Sequence, residues 1–405
     1  MQAPMMITVD EALGIVLDRV ELLGDESVAL NEAHRRILAE EIVADLDLPP
    51  FDRARMDGYA LRATDAAVVP ARLKVIGEIA AGATFDAELQ AGEAIKIFTG
   101  APVPRGADAV QKVEVTTQAG EFVIIHEAVK PGQFITRRAS EVAAGETVIT
   151  SGHAIGAAEL AALASFGYAR IRVGRRPRVA VISTGSELVD VARKPVGAQI
   201  RNSNAYTISA YAESAGAVVM NLGTVEDSLP ATCAALSRAA ETSEVVITSG
   251  GVSMGDYDLV KAALKAMGAE VYFDQVSIRP GKPTVFARRG ETYFFGLPGN
   301  PVSTSVTFNV FARPAIRRLQ GEAEPRLSTV RATLTHGIKD ASNRRSYLPA
   351  RLFIREGRAL IESLKWGGSS DLVAFMKANA LIVVREETHA ISEGETVEAL
   401  ALAAE

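Results

Sequence analysis

The stretch that decides the fold is Glu244-Val245-Val246-Ile247-Thr248-Ser249-Gly250-Gly251-Val252-Ser253-Met254-Gly255-Asp256-Tyr257-Asp258. An apolar strand, Glu244 to Ile247, runs into glycines and hydroxyls before a helical pattern begins. Glycines let the backbone turn so that N–H groups point at an anion, and the following helix N-terminus adds partial positive charge. The carboxylates of Asp256 and Asp258 would repel a phosphate unless a hard cation lay between them, so the stretch predicts phosphate with magnesium. A glycine turn followed by an Asp helix cap, common in α/β proteins, is the alternative.

Strands and helices alternate on both sides of this stretch, from Arg175 to about Leu319. Such alternation predicts a parallel sheet with helices on both faces. The predicted elements are strands at Arg178 to Ile182, Val218 to Leu222, Val245 to Ile247 and Val271 to Phe273, and helices at Ser203 to Ser214, Leu229 to Ala240 and Leu259 to Met267.

The flanking regions have a different pattern. Thr8-Val9-Asp10-Glu11 is a capping box ahead of an amphipathic helix, and short strands separated by glycine turns follow as far as Thr150. Period-two stretches return after Ser328, which suggests a small β-barrel or sandwich. We therefore predict a multidomain α/β protein with four parts: 1–45 with 145–175 as a helical and linking domain, 46–144 as a β-rich domain, 176–325 as the α/β domain, and 326–405 as a C-terminal β-barrel domain.

Composition excludes several classes of function. The 405 residues carry 43 basic and 49 acidic side chains, a net charge of −6 that argues against nucleic acid or an anionic membrane as the main partner. Cys233 is the single cysteine, so one chain forms no internal disulfide and no thiolate cluster, which suits a reducing compartment such as the cytoplasm. No stretch approaches the roughly 20 apolar residues of a membrane span, and Met1 to Val20 resembles no secretory signal.

Three unusual loops follow predicted strands of the α/β domain: Ser183 to Glu187, Ser249 to Asp258 and Gly296 to Pro301. Ligands of open α/β sheets bind outside the carboxyl ends of the strands, so we expect the three loops to converge on one site. Glu187 is then a metal ligand or general base, with a glutamate at a helix N-terminus as the alternative. Asp227, after another strand end, is a helix cap or a metal ligand.

Two further segments are candidates for ligand contact. Arg201-Asn202-Ser203-Asn204 precedes a helix, where Ser203 or Asn204 either caps the helix or contacts a ligand. Ile278 to Pro283 places Arg279 and Lys282 around a proline-stiffened turn, which suits oxyanion capture, with a solvated charged turn as the alternative. Because Pro283 follows Lys282, the segment is not a Walker A loop.

The sequence also contains features of two other kinds of site, a serine hydrolase elbow and histidines. Gly251-Val252-Ser253-Met254-Gly255 fits the nucleophile elbow of serine hydrolases, and His336 and His389 lie downstream of it. Both histidines belong to the predicted C-terminal β segment, and an elbow leaves Glu187, Arg279 and Lys282 without roles. The histidines have no ligand spacing, which disfavours zinc; they are His34, His126, His153, His336 and His389. A non-catalytic binding or scaffold protein remains a second alternative.

Six separated motifs together closely resemble the MoeA family, the molybdopterin molybdenumtransferases related to the E domains of gephyrin and its plant counterpart. The resemblance runs through nearly the whole chain in the family's order. The motifs are Met56-Asp57-Gly58-Tyr59-Ala60, Thr99-Gly100-Ala101-Pro102-Val103-Pro104, Ser183-Thr184-Gly185-Ser186-Glu187-Leu188, Ser249-Gly250-Gly251-Val252-Ser253, Arg279-Pro280-Gly281-Lys282-Pro283 and Leu297-Pro298-Gly299-Asn300-Pro301-Val302-Ser303.

The resemblance implies that the 176–325 domain is molybdopterin-binding-like and that the chain inserts molybdate into adenylylated molybdopterin, with Mg²⁺-dependent release of AMP. By motif position, it implies a metal and pyrophosphate site at Glu187, Asp227 and Asp258, and catalytic roles for Glu187, Asp57, Thr99, Asp258 and Lys282. The implied substrate and molybdate contacts are Ser249, Gly250, Gly251, Ser253, Arg279, Pro283, Pro298, Asn300, Pro301, Ser303, Arg351, Ser369 and Ser370.

The resemblance also implies an elongated, cytoplasmic homodimer in which Asp57 and Thr99 act across the interface. An adenylyltransferase would deliver the pterin, and a molybdoenzyme or chaperone would accept the product. The chain departs from the family's pattern at Glu141, where a shorter acid is frequent, and at Gln275, where a lysine is frequent. The C-terminal match leaves open whether Ser369 or Ser370 contacts the ligand.

Overall fold

The computed structural model describes residues 6–252, 259–339, 342–388 and 390–402. The chain forms two compact units. The first unit comprises Met1–Glu40, Ser151–Gly156 and Arg170–Glu405, and the second comprises Glu41–Thr150 and Ala157–Ala169. The four-domain division expected from sequence is finer than these units and stays a prediction.

The first unit contains these helices and strands: α1 Val9–Arg19, β1 Asp25–Ala29, β12 Arg170–Gly174, β13 Arg178–Thr184, β14 Leu188–Val189, β15 Ile200–Arg201, α3 Asn204–Ser214, β16 Val218–Val225, α4 Leu229–Ala240, β17 Val245–Ser249, α5 Leu259–Ala266, β18 Glu270–Phe273, β19 Ile278–Arg279, β20 Val285–Arg289, β21 Thr292–Leu297, α6 Pro301–Thr307, α7 Arg313–Leu319, β22 Thr329–Leu334, β23 Ile338–Lys339, β24 Arg345–Arg355, β25 Arg358–Ser363, α8 Leu372–Phe375, β26 Ala380–Val384, β27 Ala390–Ile391 and β28 Thr396–Ala401. A π-helical turn, Phe308–Ala312, connects α6 to α7 without a break.

A six-stranded sheet forms the centre of the first unit, in the order β16-β13-β17-β21-β20-β18. The first four strands are parallel, as the alternation of strands and helices predicts. β20 runs in the opposite direction, because only Gly290 and Glu291 separate it from β21 and so short a connection makes a hairpin. β18 pairs antiparallel with β20 and therefore runs in the same direction as the first four strands. Gly290 has φ +58°, a conformation that glycine adopts without strain. The predicted strand Val271 to Phe273 lies within β18, at the edge of the sheet, and its pairing with β20 is antiparallel.

Both faces of the central parallel strands β13, β17 and β21 are buried. Val179, Val181 and Ile247 belong to the hydrophobic core on one face, and Ala180 and Val246 belong to a second core on the other. Because successive side chains of a strand point to opposite faces, continuous apolar runs such as these suit a sheet covered by helices on both sides.

The C-terminal region closes into a five-stranded barrel. Its strands pair in the order β24-β25-β22-β28-β26, and β26 pairs again with β24. The interior is apolar and includes Leu334, Ala350, Ile361 and Ile382. Closure leaves these five strands without a free edge, and it confirms the barrel that the period-two pattern indicates.

Helix α1 begins at the capping box seen in the sequence. The Thr8 hydroxyl accepts a hydrogen bond from the Glu11 main-chain N–H (3.2 Å), and the Glu11 carboxylate accepts one from the Thr8 main-chain N–H (2.8 Å). Arg345 on β24 donates to both carboxylate oxygens of Asp10 at 2.6 and 2.8 Å, which holds the helix against the barrel. This hydrogen-bonded arginine lowers the pKa of Asp10.

The strand pair that frames the N-terminal segment is non-local. β1 runs antiparallel to β12, with Asp25 opposite Gly174 and Ala29 opposite Arg170. All residues of the second unit lie between these two strands in the sequence.

The second unit contains these helices and strands: β2 Ile42–Val43, β3 Arg53–Ala54, β4 Gly58–Leu61, β5 Ala71–Ile79, β6 Glu93–Ile97, β7 Ala109–Lys112, β8 Thr116–Ala119, β9 Phe122–Ile125, β10 Ile135–Thr136, β11 Thr147–Ile149 and α2 Ala157–Ser165. Six of the strands form one sheet in the order β7-β4-β6-β5-β9-β8, with a core that includes Tyr59, Leu61, Leu73 and Val123. This agrees with the β-rich pattern of the sequence.

We predict that Gly14→Ala raises the stability of the chain by about 0.5–1 kcal/mol. Gly14 lies inside α1, and a Cβ there would meet nothing within 4 Å. The substitution thus lowers the backbone entropy of the unfolded chain without a clash. Differential scanning calorimetry measures the change in melting temperature.

Gly174→Ala is the matched control. A Cβ on Gly174 would lie 1.8 Å from the main-chain oxygen of Gln320, so this variant should melt at a lower temperature than the parent. An unchanged or lower melting temperature for Gly14→Ala would contradict the prediction.

Candidate functional site

An open cleft of about 640 Å³ lies at the carboxyl ends of β13, β17 and β21. The loops after these three neighbouring strands meet there, as the topology of the sheet predicts. The described residues that line it are Thr184, Gly185, Glu187, Leu188, Ile200, Arg201, Asn202, Ser203, Asn204, Asp227, Ser249, Gly250, Gly251, Val252, Pro283, Pro298, Gly299, Asn300, Pro301 and Ser370.

The loop after β13 holds Glu187 in the cleft wall. Gly185 has φ +146°, and a Cβ on it would lie 2.6 Å from a carboxylate oxygen of Glu187. The main-chain N–H of Ser186 donates to the Asp227 carboxylate at 2.8 Å, so the loop after β13 is bonded to the loop after its neighbour β16. The structure thereby brings the two carboxylates of Glu187 and Asp227 to one cleft.

The loop after β17 requires its two glycines because β13 comes very close. A Cβ on Gly250 would lie 2.5 Å from the Thr184 main-chain oxygen, and one on Gly251 would lie 2.8 Å from the Thr184 hydroxyl oxygen. Both have positive φ, +92° and +65°. The N–H of Gly250 donates to the main-chain oxygen of Leu297 at 3.0 Å, so this N–H is not free for an anion as the sequence suggested.

The loop after β21 ends at the start of α6 and binds the segment that precedes α8. The Asn300 side-chain N–H donates to the Ser369 hydroxyl at 2.9 Å, and the Val302 main-chain N–H donates to the Ser369 main-chain oxygen at 3.0 Å. The side chain of Asn300, at the N-cap of α6, makes no capping bond. Ser369 therefore anchors the segment, and Ser370 lines the cleft.

Two asparagines at the start of α3 complete the wall. Asn202 caps the helix, because its side-chain oxygen accepts from the Ala205 N–H at 3.2 Å; the side chain of Ser203 makes no capping bond. Asn204 instead donates from its side-chain nitrogen to the Ser249 hydroxyl and to the Gly299 main-chain oxygen, both at 2.7 Å. In the sequence, the Asn-Ser-Asn run at the start of α3 indicates this segment as a candidate, but it does not identify these hydrogen-bond partners.

The described residues provide two carboxylates for a cation. No group of three or more His, Cys, Asp or Glu side chains that could hold a metal occurs within the described ranges, and Asp258 lies outside them. Glu187 and Asp227 nevertheless fit Mg²⁺, which is usually bound by one or two carboxylates together with water and substrate phosphates.

Four residues of the first unit that were expected to contact molybdate, Arg279, Lys282, Ser303 and Arg351, are not among the described residues that line the cleft. Arg279 lies on β19, which pairs with β24, and Lys282 is half-buried beside the wall residue Pro283. Ser303 is buried within α6, and Arg351 is exposed on β24 opposite Glu362. Their expected contacts with molybdate thus stay predictions.

Asp57 and Thr99 lie in the second unit and bind each other. One oxygen of the Asp57 carboxylate accepts from the main-chain N–H and from the hydroxyl of Thr99, both at 2.7 Å. The Thr99 N–H, and then its hydroxyl, hold the pKa of Asp57 below its ordinary value. The carboxylate is therefore exposed, ionised and fixed in direction.

The structure describes both residues at which the chain departs from the family's pattern, Glu141 and Gln275. Glu141 pairs with Arg53 at 3.0 Å on the surface of the second unit. Gln275 is half-buried between β18 and β19. Ser253 and Asp258 lie outside the described residues, as do Met254 and Gly255 of the nucleophile elbow.

Family models match three consecutive parts of the chain. The model described as MoeA N-terminal region (domain I and II) matches residues 7–167, the probable molybdopterin binding domain matches 180–318, and the MoeA C-terminal region (domain IV) matches 331–402. Among the described residues, no helix is long and apolar enough to cross a membrane.

Similar proteins cover almost the full chain. The chain is 36% identical over 402 residues to a molybdopterin molybdenumtransferase of Bacillus subtilis (strain 168), covering 97% of this chain and 94% of that protein. It is 36% identical over 399 residues to that of Haemophilus influenzae, covering 97% and 98%. A molybdopterin biosynthesis MoeA protein from Pyrococcus horikoshii OT3 has a similar structure, with a TM-score of 0.83, 29% identity, and 98% and 100% of the two chains covered.

We predict that Thr99→Val raises the pKa of Asp57 toward its ordinary value. The variant removes the hydroxyl donor and keeps the N–H donor, which has the larger effect, so the pKa should rise only part of the way. A lowered carboxyl pKa stabilises the fold above the unfolded-state pKa, and this contribution is lost as pH falls through the folded-state pKa. In the variant the contribution should therefore be smaller at neutral pH, and its loss should be complete at a higher pH. Carboxyl ¹³C NMR titration measures the pKa, and an unchanged value would contradict the prediction.

Proposed function

Because the chain belongs to the MoeA family of molybdopterin molybdenumtransferases, transferases of molybdenum cofactor biosynthesis, we propose that it inserts molybdate into adenylylated molybdopterin with Mg²⁺-dependent release of AMP. The observation that carries this proposal is the meeting of Glu187 and Asp227 with the glycine loop Ser249–Val252 in one cleft. Carboxylates can bind a hard cation, and a glycine loop in the same cleft leaves space for a phosphate beside it. The two together suit the binding of a metal-bound phosphate ester.

Glu187 and Asp227 would hold the magnesium ion, together with Asp258. Bound there, Mg²⁺ would neutralise charge on the pyrophosphate that links the pterin phosphate to AMP. Asp227 is already oriented for this, because the Ser186 N–H fixes one of its oxygens at 2.8 Å. Glu187 is exposed and lies over Gly185, where its carboxylate can face the ligand.

The anionic substrates need donors and cations as well. We propose that the loop at Ser249, Gly250, Gly251 and Ser253 binds the substrate phosphates. We propose that Pro298, Asn300 and Pro301 contact other parts of the adenylylated molybdopterin. Molybdate, a tetrahedral dianion, suits a cluster of fixed cations and hydroxyls. The residues proposed for it are Arg279, Lys282, Pro283 and Ser303, with Arg351, Ser369 and Ser370 closing the pocket.

We further propose a homodimer in which Asp57 and Thr99 act on the substrate bound by the other chain. The first unit offers apolar surface for self-association: Tyr206 on α3 is 54% exposed, and Val218 and Leu222 on the edge strand β16 are 50% and 47% exposed. An exposed edge strand with apolar side chains is the kind of surface that oligomers cover.

The cellular setting follows from the reaction. We propose a cytoplasmic enzyme that receives its pterin from an adenylyltransferase and passes its product to a molybdoenzyme or chaperone. No role for nucleic acid or membrane is proposed, given the net charge of −6.

The serine hydrolase alternative has little support. His336 bonds its ring nitrogens to the Thr335 hydroxyl (3.2 Å) and the Ser363 main-chain oxygen (3.1 Å), so it is engaged within the barrel. His389 and Ser253 lie outside the described residues. The scaffold alternative differs in one measurable way, because a scaffold binds the pterin and forms no AMP.

We predict that Glu187→Gln abolishes AMP release from adenylylated molybdopterin in the presence of molybdate and Mg²⁺, with the melting temperature unchanged. The neutral amide is nearly isosteric but is a weaker ligand for a hard cation. Glu226→Gln is the matched control, because Glu226 is exposed next to Asp227 and does not line the cleft. Chromatography of AMP measures the result; unchanged release by Glu187→Gln would contradict the metal assignment, and no release by the parent chain would favour a scaffold.

We predict that mixing two inactive variants, Asp57→Asn and Glu187→Gln, restores activity. If each site uses Asp57 of one chain and Glu187 of the other, re-associated mixed dimers contain one intact site. A 1:1 mixture should then reach about a quarter of the parent's AMP release. A mixture as inactive as its components would contradict the shared site, provided that tagged chains show subunit exchange.

A further inference from the structure

Asn204 connects two loops of the cleft through one side-chain nitrogen. Its Nδ2 is 2.7 Å from the Ser249 hydroxyl oxygen, in the loop after β17, and 2.7 Å from the Gly299 main-chain oxygen, in the loop after β21. A main-chain oxygen only accepts hydrogen bonds, so the atom that faces it must be the nitrogen. This fixes the orientation of the amide and places Oδ1 on its other side.

Oδ1 of Asn204 is buried and has no hydrogen-bond partner among the described residues. The side chain lines the cleft, and the residue is 9% exposed. The hydroxyl of Thr184 in the same wall is likewise buried and unpaired within the described part of the chain. Unpaired buried polar groups are costly, so two of them in one cleft wall indicate a polar ligand that completes their hydrogen bonds.

We propose that Asn204 positions the substrate: its nitrogen holds the two loops together, and its Oδ1 accepts a hydrogen bond from the neutral part of the ligand. This proposal rests on the proposed function. Ionised phosphate and molybdate offer no donor to an amide oxygen, whereas the N–H groups of a pterin ring and the hydroxyls of a ribose do. Asn204 would therefore recognise an N–H or O–H group of the substrate rather than its charge.

Gln320 provides a matched control elsewhere in the first unit. Its Nε2 donates to the main-chain oxygens of Ala215 (2.8 Å) and Ile316 (2.9 Å), and its Oε1 is buried and unpaired among the described residues. Gln320 does not line the cleft; a Cβ on Gly216 would lie 2.4 Å from its Oε1. An unpaired amide oxygen alone thus does not indicate a ligand, and a comparison of the two residues separates binding from stability.

The test compares Asn204→Ala with Gln320→Ala in the full chain. Calorimetry measures the binding of molybdopterin and, separately, of AMP; kinetics of AMP release give KM for adenylylated molybdopterin and for molybdate; thermal unfolding gives stability. We expect both variants to melt at lower temperature. Asn204→Ala should raise the Kd for one of the two ligands, and the KM for the adenylylated pterin, by about tenfold or more, with the KM for molybdate unchanged. Gln320→Ala should change none of these constants more than about twofold.

The affected ligand identifies the donor: weaker molybdopterin binding assigns it to the pterin, and weaker AMP binding assigns it to the ribose. If Asn204→Ala does not fold, Asn204→Leu preserves the approximate shape of the side chain and removes both the accepting oxygen and the donating nitrogen, and the same rise is expected. Binding by the Asn204 variants within twofold of the parent, or an equal loss in Gln320→Ala, would overturn the proposal. Absence of AMP release by the parent chain would instead overturn the proposed function.

Discussion

The geometry of parallel strands is the constraint on which the site depends. Four neighbouring strands, β16, β13, β17 and β21, run in one direction and therefore end at one edge of the sheet. Both faces of β13, β17 and β21 are covered by apolar cores, so the polar side chains of these strands are confined to the loops that leave this edge. The carboxylates, glycines and amides of the cleft are far apart in sequence. They lie close together because the loops that carry them follow parallel strands that end at the same edge of the sheet.

Hydrogen bonds between the loops then fix the shape of the cleft. The Ser186 N–H bonds to Asp227, the Gly250 N–H bonds to Leu297, and Asn204 bonds to both later loops. Close approach of Thr184 leaves space only for glycine at 250 and 251. The glycine loop is therefore packed tightly against the neighbouring strands as well as lining the cleft. Its Gly250 N–H donates to β21 and is not available to a ligand.

Local patterns in the sequence were sufficient to predict the main elements of the fold. Helix α4 begins and ends at the predicted residues, and the capping box at Thr8 is as expected. The reversed direction of β20 depends on the short connection to β21 at Gly290 and Glu291, which the alternation of strands and helices does not predict. The partners of Asn204 and of Asp57 depend on tertiary contacts 45 and 42 residues away, and no local pattern encodes them.

The ladder between β1 and β12 has a consequence for how the chain folds. Asp25 cannot pair with Gly174 until the ribosome has released the whole of Glu41–Thr150 and Ala157–Ala169. Closing so long a loop is entropically costly, but the cost grows only with the logarithm of its length, and a compact second unit shortens the effective loop. We therefore expect the second unit to fold first during synthesis. Strand β1 should remain unpaired until β12 has been synthesised.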